Sequence, residues 1–341
     1  MTDMHSASLC SHVVAGWADS GQGGFAALIA GLAAVLSGAG LLALAGLARL
    51  WPIFDVASHT AFHAAGAVAG GLLALGLLFW LGRPVSALVA LAGVGALTIF
   101  VPAFVASSAT VDSAELSRPR SPGTYRLVSL NTWHRNRSQD ELMAFLEGAN
   151  ADLLVLLEFG PTKRRWFRRL SKTFPYRAGC SDQISCSVEV LSRHPIVNAV
   201  TSSRDRGERP PRVIVKFGDA LSGLTLFGVH LMRPIDSYYG NFNEVNLVAE
   251  NVRQVPRGPV IVAGDFNLTG WSANWSMFRR RSGLKHMGRF LPSWPTGPRG
   301  VPQLAIDHVF ASREINFERV VLGPSVGSDH RPLIVDFRMS N

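Results

Sequence analysis

The chain has 341 residues, with 33 Lys or Arg against 24 Asp or Glu, a net charge of +9 and 48% hydrophobic residues. Only 17% of the residues are charged, against about 25% in an ordinary soluble domain, so the average conceals a segment almost free of charge. This composition excludes a disordered, collagen-like or disulfide-dense secreted protein.

The uncharged segment is N-terminal. Residues 1–117 hold two basic residues, Arg49 and Arg83, and five acidic ones, Asp3, Asp19, Asp55, Asp112 and Glu115, which leaves +12 for 118–341. Residues 1–24 read as a tail without the basic start of a cleavable signal peptide. Within 25–111, the stretches 25–48, 61–82 and 84–111 contain no Asp, Glu, Lys or Arg. A helix rises about 1.5 Å per residue and a bilayer core is about 30 Å thick, so about 20 residues suffice to cross it. Three transmembrane helices are expected, at about 25–48, 61–82 and 84–106. The Gly and Ala content of the first two suits close helix approach, and Trp51 and Trp80 fall near helix ends, where aromatic anchors are favoured.

The expectation is therefore an integral protein of a bacterial inner membrane, in contact with the bilayer through 25–111. Its orientation stays open. Arg49, Arg118 and Arg120 on one side, against Arg83 on the other, lean towards a cytoplasmic catalytic domain. Cys180 and Cys186 lean the other way, because a disulfide between them would need an oxidising compartment.

Residues 112–123 are polar, contain Pro119 and Pro122, and read as a juxtamembrane linker. From 124 to 341 apolar runs of strand length alternate with helical patterns. Strands are expected at YRLVSL, DLLVLLE, SVEVLS, RVIVKF, LTLFGVH, PVIVAGD, LAIDHVF, RVVLG and PLIVDF. Helices are expected after a Ser138/Glu141 capping box and over 163–174 and 241–255. This is an α/β pattern, with two sheets in a sandwich.

Polar residues fall where those strands end: Asn131, Glu158, His230, Asp265 and Asp307. Strand ends are where an α/β sheet gathers a site. Asn131, Glu158 and Asp329 are hard oxygen donors suited to Mg²⁺, with Mn²⁺ as the alternative; no HExxH or paired CxxC supports zinc. In GDFN, Asp265 and Asn267 could hold an attacking water and a phosphate oxygen together, although a simple Asx turn has the same pattern. In GSDHRP, His330 can exchange a proton near neutral pH, with Asp307 as its orienting carboxylate. His230 would donate to charge developing on phosphate, and Arg233 and Arg331 are candidate phosphate contacts.

Taken in order, Asn131, Glu158, His230, GDFN, Asp307 and SDH resemble the endonuclease/exonuclease/phosphatase superfamily, which includes pancreatic-type deoxyribonucleases, abasic-site endonucleases, neutral sphingomyelinases and inositol-polyphosphate 5-phosphatases. The resemblance covers about 124–337. It implies a four-layer α/β sandwich, two mixed sheets flanked by helices, preceded here by three transmembrane helices. It also implies a Mg²⁺-dependent phosphoesterase with Glu158 as main metal ligand and Asn131 and Asp329 assisting. By the same resemblance Asp265 aligns or deprotonates water, Asn267 binds phosphate, Asp307 and His330 form a dyad, and His230 is the transition-state donor. The family often has a second Asn where Trp133 stands, and His308 reads as packing. Whether Asp265 or His330 takes the proton stays open.

The basic clusters KRRWFRR (163–169) and RRRSGLK (279–285) would attract DNA, RNA or an anionic membrane surface alike; the alternative is that they are solvated helix faces. Trp166 and Phe167 either stack on bases or pack inward. The expected activity is metal-assisted in-line hydrolysis of a phosphodiester, with nucleic acid slightly ahead of phospholipid or inositol phosphate as substrate. A catalytically inactive, membrane-tethered binding protein is the alternative. No protein partner is inferable.

Overall fold

The computed structural model describes residues 21–48, 52–159, 165–179, 188–202, 210–256, 258–296 and 303–340. Compact units meet between Val101 and Pro102. The first contains the helices α1 (Gly21–Leu47) and α2 (Ala61–Leu81) and most of α3 (Pro84–Ser108). Each of the three is long and apolar enough to cross a membrane. Glycine lets them approach: a Cβ at Gly38 would lie 2.6 Å from the Ala64 carbonyl oxygen, and one at Gly71 would lie 2.7 Å from that of Gly31. Large apolar side chains such as Leu36, Phe79 and Trp80 point outward, an arrangement costly in water and suited to lipid.

The second unit holds two six-stranded sheets. The first has the order β11-β12-β1-β2-β4-β3 and the second the order β5-β6-β7-β8-β10-β9. The strands are β1 (Tyr125–Asn131), β2 (Leu153–Leu157), β3 (Tyr176–Gly179), β4 (Glu189–Ser192), β5 (Ile196–Ser202), β6 (Arg212–Phe217), β7 (Thr225–His230), β8 (Val260–Asp265), β9 (Lys285–His286), β10 (Asp307–Ala311), β11 (Ile315–Leu322) and β12 (Leu333–Met339). Each sheet has one central parallel pair, β1 with β2 and β7 with β8, and antiparallel neighbours outside it.

The central strands read as nearly unbroken apolar runs because both of their faces are covered. Leu127, Leu153 and Val155 meet Val213, Leu226 and Ile261 between the sheets. The outer face of the first sheet packs on α4 (Gln139–Gly148) and α5 (Arg165–Leu170) through Leu142, Phe145, Leu146 and Leu170. The outer face of the second packs on α6 (Tyr238–Arg253) and α7 (Ala273–Ser282) through Val245, Val248, Trp275 and Phe278. The result is the four-layer α/β sandwich that the resemblance implies, preceded by three apolar helices.

Residues just before and within the expected linker are packed on this unit. Val111 and Ala109 pair with Leu322 at the edge of the first sheet, Leu116 is fully buried, and Arg120 reaches Asp152 at 2.7 Å. The expected Ser138/Glu141 capping box is not formed: the Ser138 side chain makes no cap bond, and Asn136 Oδ1 accepts from the Ser138 backbone N at 2.9 Å instead. Strands β3, β5 and β9 and helix α7 were not legible in the pattern. Lys163, Cys180 and Cys186 lie outside the described residues.

Candidate active site

Both parallel pairs run in the direction that brings their C-terminal ends to one place, and β10, antiparallel to β8, starts there. The register sets Asp307 opposite Asp265 and, across the parallel pair, Asp265 beside His230. Local backbone then turns each side chain inward. Gly264 has φ +147° and a Cβ there would lie 1.9 Å from the Val229 carbonyl oxygen, so only glycine fits before Asp265. Glu158 and Asn267 both take the left-handed conformation, at φ +51° and +52°, just beyond their strands.

Asp265 is the meeting point. Its Oδ2 lies 3.3 Å from Asn131 Nδ2, 3.8 Å from His230 Nε2 and 3.7 Å from His330 Nε2, while Oδ1 accepts from the Asn267 backbone N at 2.8 Å. His330 places Nδ1 2.8 Å from Asp307 Oδ2, which also accepts from Ser293 Oγ at 2.6 Å. Ser328 ties this loop to the first sheet: its hydroxyl donates to the Asn131 carbonyl at 2.6 Å and accepts from the His330 N at 3.1 Å.

Burial, then the Asp307 charge, push the Asp265 carboxyl up to about 7 against the pull of His330. For His330 burial acts downward, but Asp307, by charge and hydrogen bond, and then Asp265 and Asp329 raise it to about 9. The ring is thus a cation between two carboxylates at neutral pH.

Glu158 stands beside this group. Asn131 Nδ2 donates to its Oε1 at 3.2 Å, and the backbone N and ring Nδ1 of His134 reach its Oε2 at 2.9 and 2.7 Å. Burial pushes its carboxyl up, but the His230 charge and the hydrogen bonds from His134 and Asn131 outweigh burial and bring it down to about 2. Asp329 Oδ2 accepts from Trp294 Nε1 at 3.4 Å, and its buried Oδ1 has no hydrogen-bond partner among the described residues. Burial raises this carboxyl.

Two positions could hold a cation. Ligand atoms of Asp265, Asp307 and His330 lie within 4.8 Å of one another, with His330 Nδ1 turned to Asp307 and Nε2 to Asp265. Glu158, ionised far below neutral pH, and the Asp329 oxygen without a hydrogen-bond partner among the described residues offer hard oxygens of the kind that suit a divalent cation. Asn131 faces Glu158 with its amide nitrogen, because its Oδ1 accepts from the Trp133 N at 3.0 Å.

The expected arginines have partners of their own. Arg233 pairs with Asp236 at 2.7 Å, and Arg331 Nη1 donates to the Gly323 carbonyl at 3.4 Å. Asn267 Nδ2 donates to the Leu231 carbonyl at 2.9 Å. His308 is fully buried against Phe266, Trp275 and Phe310, as expected of packing. His134, Ser293 and Trp294 were not singled out in the sequence; each sits in a loop without a motif, and only the fold brings it to its carboxylate.

A profile of the Endonuclease/Exonuclease/phosphatase family matches residues 128–330, more than half of the chain. The chain belongs to this family. Its members are phosphoester hydrolases, and the matched span contains every residue of the cluster described above. Among curated proteins, UPF0294 protein plu0699 of Photorhabdus laumondii is 34% identical over 102 residues, 28% of this chain and 35% of the relative, so the match spans about a third of that protein. Among solved structures, D. rerio TDP2 in complex with a single-strand DNA product is 15% identical, covers 63% of this chain and 99% of its own, and has a TM-score of 0.54. An endonuclease/exonuclease/phosphatase from Beutenbergia cavernae is 18% identical over 64% of this chain and 72% of its own, with a TM-score of 0.52. The human Nocturnin catalytic domain with a bound sulfate anion is 14% identical over 65% and 97%, with a TM-score of 0.51. At these identities the likeness is one of fold.

Proposed function

We propose that this chain is a membrane-anchored phosphodiester hydrolase that uses Mg²⁺, or Mn²⁺ in its place. The observation that carries the reading is the convergence of His230, His330 and Asn131 on one oxygen of Asp265, beside an ionised Glu158. Glu158 and Asp329 would hold the ion, with Asn131 orienting Glu158. When bound, such an ion neutralises charge on the substrate phosphate. Asp265, with its carboxyl raised towards neutral, aligns water and accepts its proton. His330, kept cationic and oriented by Asp307, and His230 donate to the equatorial oxygens as charge develops there. An amide carries two N–H donors; Asn267 spends one on Leu231 and offers the other to phosphate.

The three apolar helices, of membrane-spanning length and composition, support anchoring in a bilayer. The nucleic-acid reading rests on the basic clusters at 163–169 and 279–285 and, for base stacking, on Trp166 and Phe167. Trp166 is buried against Phe159, and Phe167 lies between Phe159 and the Arg177 guanidinium, 3.5 Å from its ring centre. Neither supports base stacking.

The test is hydrolysis of bis(p-nitrophenyl) phosphate by the full chain in detergent, with Mg²⁺ and with chelator. Glu158→Ala, Asp265→Ala and His330→Ala should each lose about two to four orders of magnitude in rate while keeping the wild-type thermal transition. Turnover near the wild-type rate in these folded variants would overturn the reading.

A further inference from the structure

The loops that lead to the reaction centre carry large apolar side chains in solvent. Ile235 is 77% exposed, Tyr239 67%, Trp271 62% and Phe290 42%. Three of the four lie close along the chain to a site residue: Ile235 follows His230 by five positions, Trp271 follows Asn267 by four, and Phe290 precedes Ser293 by three; Tyr239 lies in the first turn of α6. Among the described residues, the other large exposed apolar side chains of this unit beyond α3 are Tyr176, Val197 and Val200 on strands β3 and β5.

These side chains are mounted rigidly. Trp271 stacks on Phe290 with ring centres 6.3 Å apart and planes at 24°, and Phe290 stacks on His286 at 4.8 Å. Gly270 makes the stack fit, since a Cβ there would lie 2.2 Å from the Phe290 ring. Tyr238, next to Tyr239, bonds Asn274 at 3.0 Å, and Asn274 bonds Asn241 at 2.9 Å, which locks the start of α6 to the start of α7. A loop that only needed solubility would not present a fixed apolar stack to water.

We infer that this rim docks on the surface of a lipid bilayer and that the phosphodiester it brings to the site belongs to a phospholipid headgroup; the inference rests on the membrane-anchored phosphoesterase reading above. The rim loops run directly into the residues of the site, three to five positions away along the chain, so a surface that takes up the rim is the one we infer to supply the substrate. The chain's own three apolar helices tether the catalytic unit to lipid, which raises the local concentration of a lipid partner without any new contact. Trp and Tyr with an aliphatic neighbour are the side chains that settle at a bilayer interface. A single-strand nucleic-acid groove needs cations interleaved with stacking faces. Ile235, the most exposed of the four, offers no stacking face, and the adjacent Arg233 is paired with Asp236. In the reaction the water oxygen bonds to phosphorus and one ester P–O bond breaks. The leaving oxygen departs as an alcohol carrying one water proton, and the other is released from the phosphomonoester.

The experiment uses the full chain reconstituted in vesicles of phosphatidylcholine and phosphatidylglycerol in equal amounts. Wild type and the triple variant I235S/W271S/F290S are compared on vesicle phospholipid, on bis(p-nitrophenyl) phosphate and on a single-strand DNA oligonucleotide. Lipid hydrolysis should fall by at least about tenfold in the variant, with soluble diester hydrolysis unchanged, which also shows that the variant folds. Brominated phosphatidylcholine should quench tryptophan emission more in wild type than in Trp271→Phe. Equal quenching in the two, unchanged lipid turnover, or a loss confined to DNA would each overturn the inference. Failure of the phosphoesterase reading looks different: no diester is hydrolysed by wild type, while quenching still reports docking.

Discussion

His134 and Glu158 are joined twice through one oxygen: the backbone N of His134 donates to Glu158 Oε2 at 2.9 Å and its ring Nδ1 lies 2.7 Å from the same atom. His134 stands one residue past Trp133, the position where the family often has a second polar side chain. The imidazole restores that polarity from an exposed loop and leaves Oε1 to face Asn131. Such outer hydrogen bonds typically contribute 10- to 100-fold in metal affinity. Because the backbone bond survives the substitution, His134→Ala should weaken Mg²⁺ or Mn²⁺ binding by about tenfold. Calorimetric titration of the purified full chain with either ion measures this, and an unchanged affinity would remove His134 from the site.

Ser293 is a second positioning group. Its hydroxyl donates to the same Asp307 oxygen that His330 uses, so Ser293→Ala leaves that buried carboxylate one donor short. An unmet hydrogen bond of this kind costs about 1–3 kcal/mol, and each 1.4 kcal/mol in the barrier is about tenfold in rate. The expected result is a kcat reduced by about tenfold with KM on a soluble diester little changed; equal kcat values would show that His330 alone holds Asp307.

The second sheet hides a pair of neutral histidines. His286 Nε2 lies 3.1 Å from His308 Nδ1, and His308 Nε2 lies 2.7 Å from the Leu268 carbonyl, so each ring donates one N–H along a chain that ends on the backbone. Burial first, then the His308 charge and Arg279, bring His286 down to about 2, and burial brings His308 down to about 4. Both folded values lie below the unfolded value of about 6.5. Below that pH the unfolded chain binds protons that the folded one refuses, so this contribution to stability is complete above about pH 6.5 and is lost as the pH falls towards 4. His286→Phe should flatten that acid loss and cost about 1 kcal/mol at neutral pH for the lost hydrogen bond. Denaturant midpoints followed from pH 7 to pH 4 test it. The difference between the two proteins isolates His286, because the trends of Asp265 and of the buried His308 are common to both.

Arg126 is the largest fully buried side chain among the described residues. It makes two bonds to Asp336, at 2.7 and 3.0 Å, and two more to the Leu116 and Ala149 carbonyls. It thereby fastens the residues just past α3 to the β1–β12 pair. Asp336→Ala strands the guanidinium without its counter-charge and should destabilise the unit by about 3–5 kcal/mol. A thermal transition within a degree or two of the wild type would contradict that account.

The sequence by itself determined what is carried by local runs. Three charge-free stretches longer than a bilayer is thick could only be long apolar helices. The buried strands β1, β2, β7, β8 and β10 announced themselves as apolar runs ending in Asn131, Glu158, His230 and Asp265, or interrupted by Asp307, where the structure starts β10. The exposed or short strands β5, β3 and β9 gave no such run, because a strand open to water need not be apolar. Tertiary structure alone decided the pairings across long sequence separation: His134 to Glu158, Ser293 to Asp307, Trp294 to Asp329. It also turned Trp166 and Phe167 inward and left Ile235, Trp271 and Phe290 outward. Apolar periodicity records only that a side chain is covered or wet. Which donor meets which carboxylate is fixed when two sheets pack and their loops converge, and no local spacing encodes that.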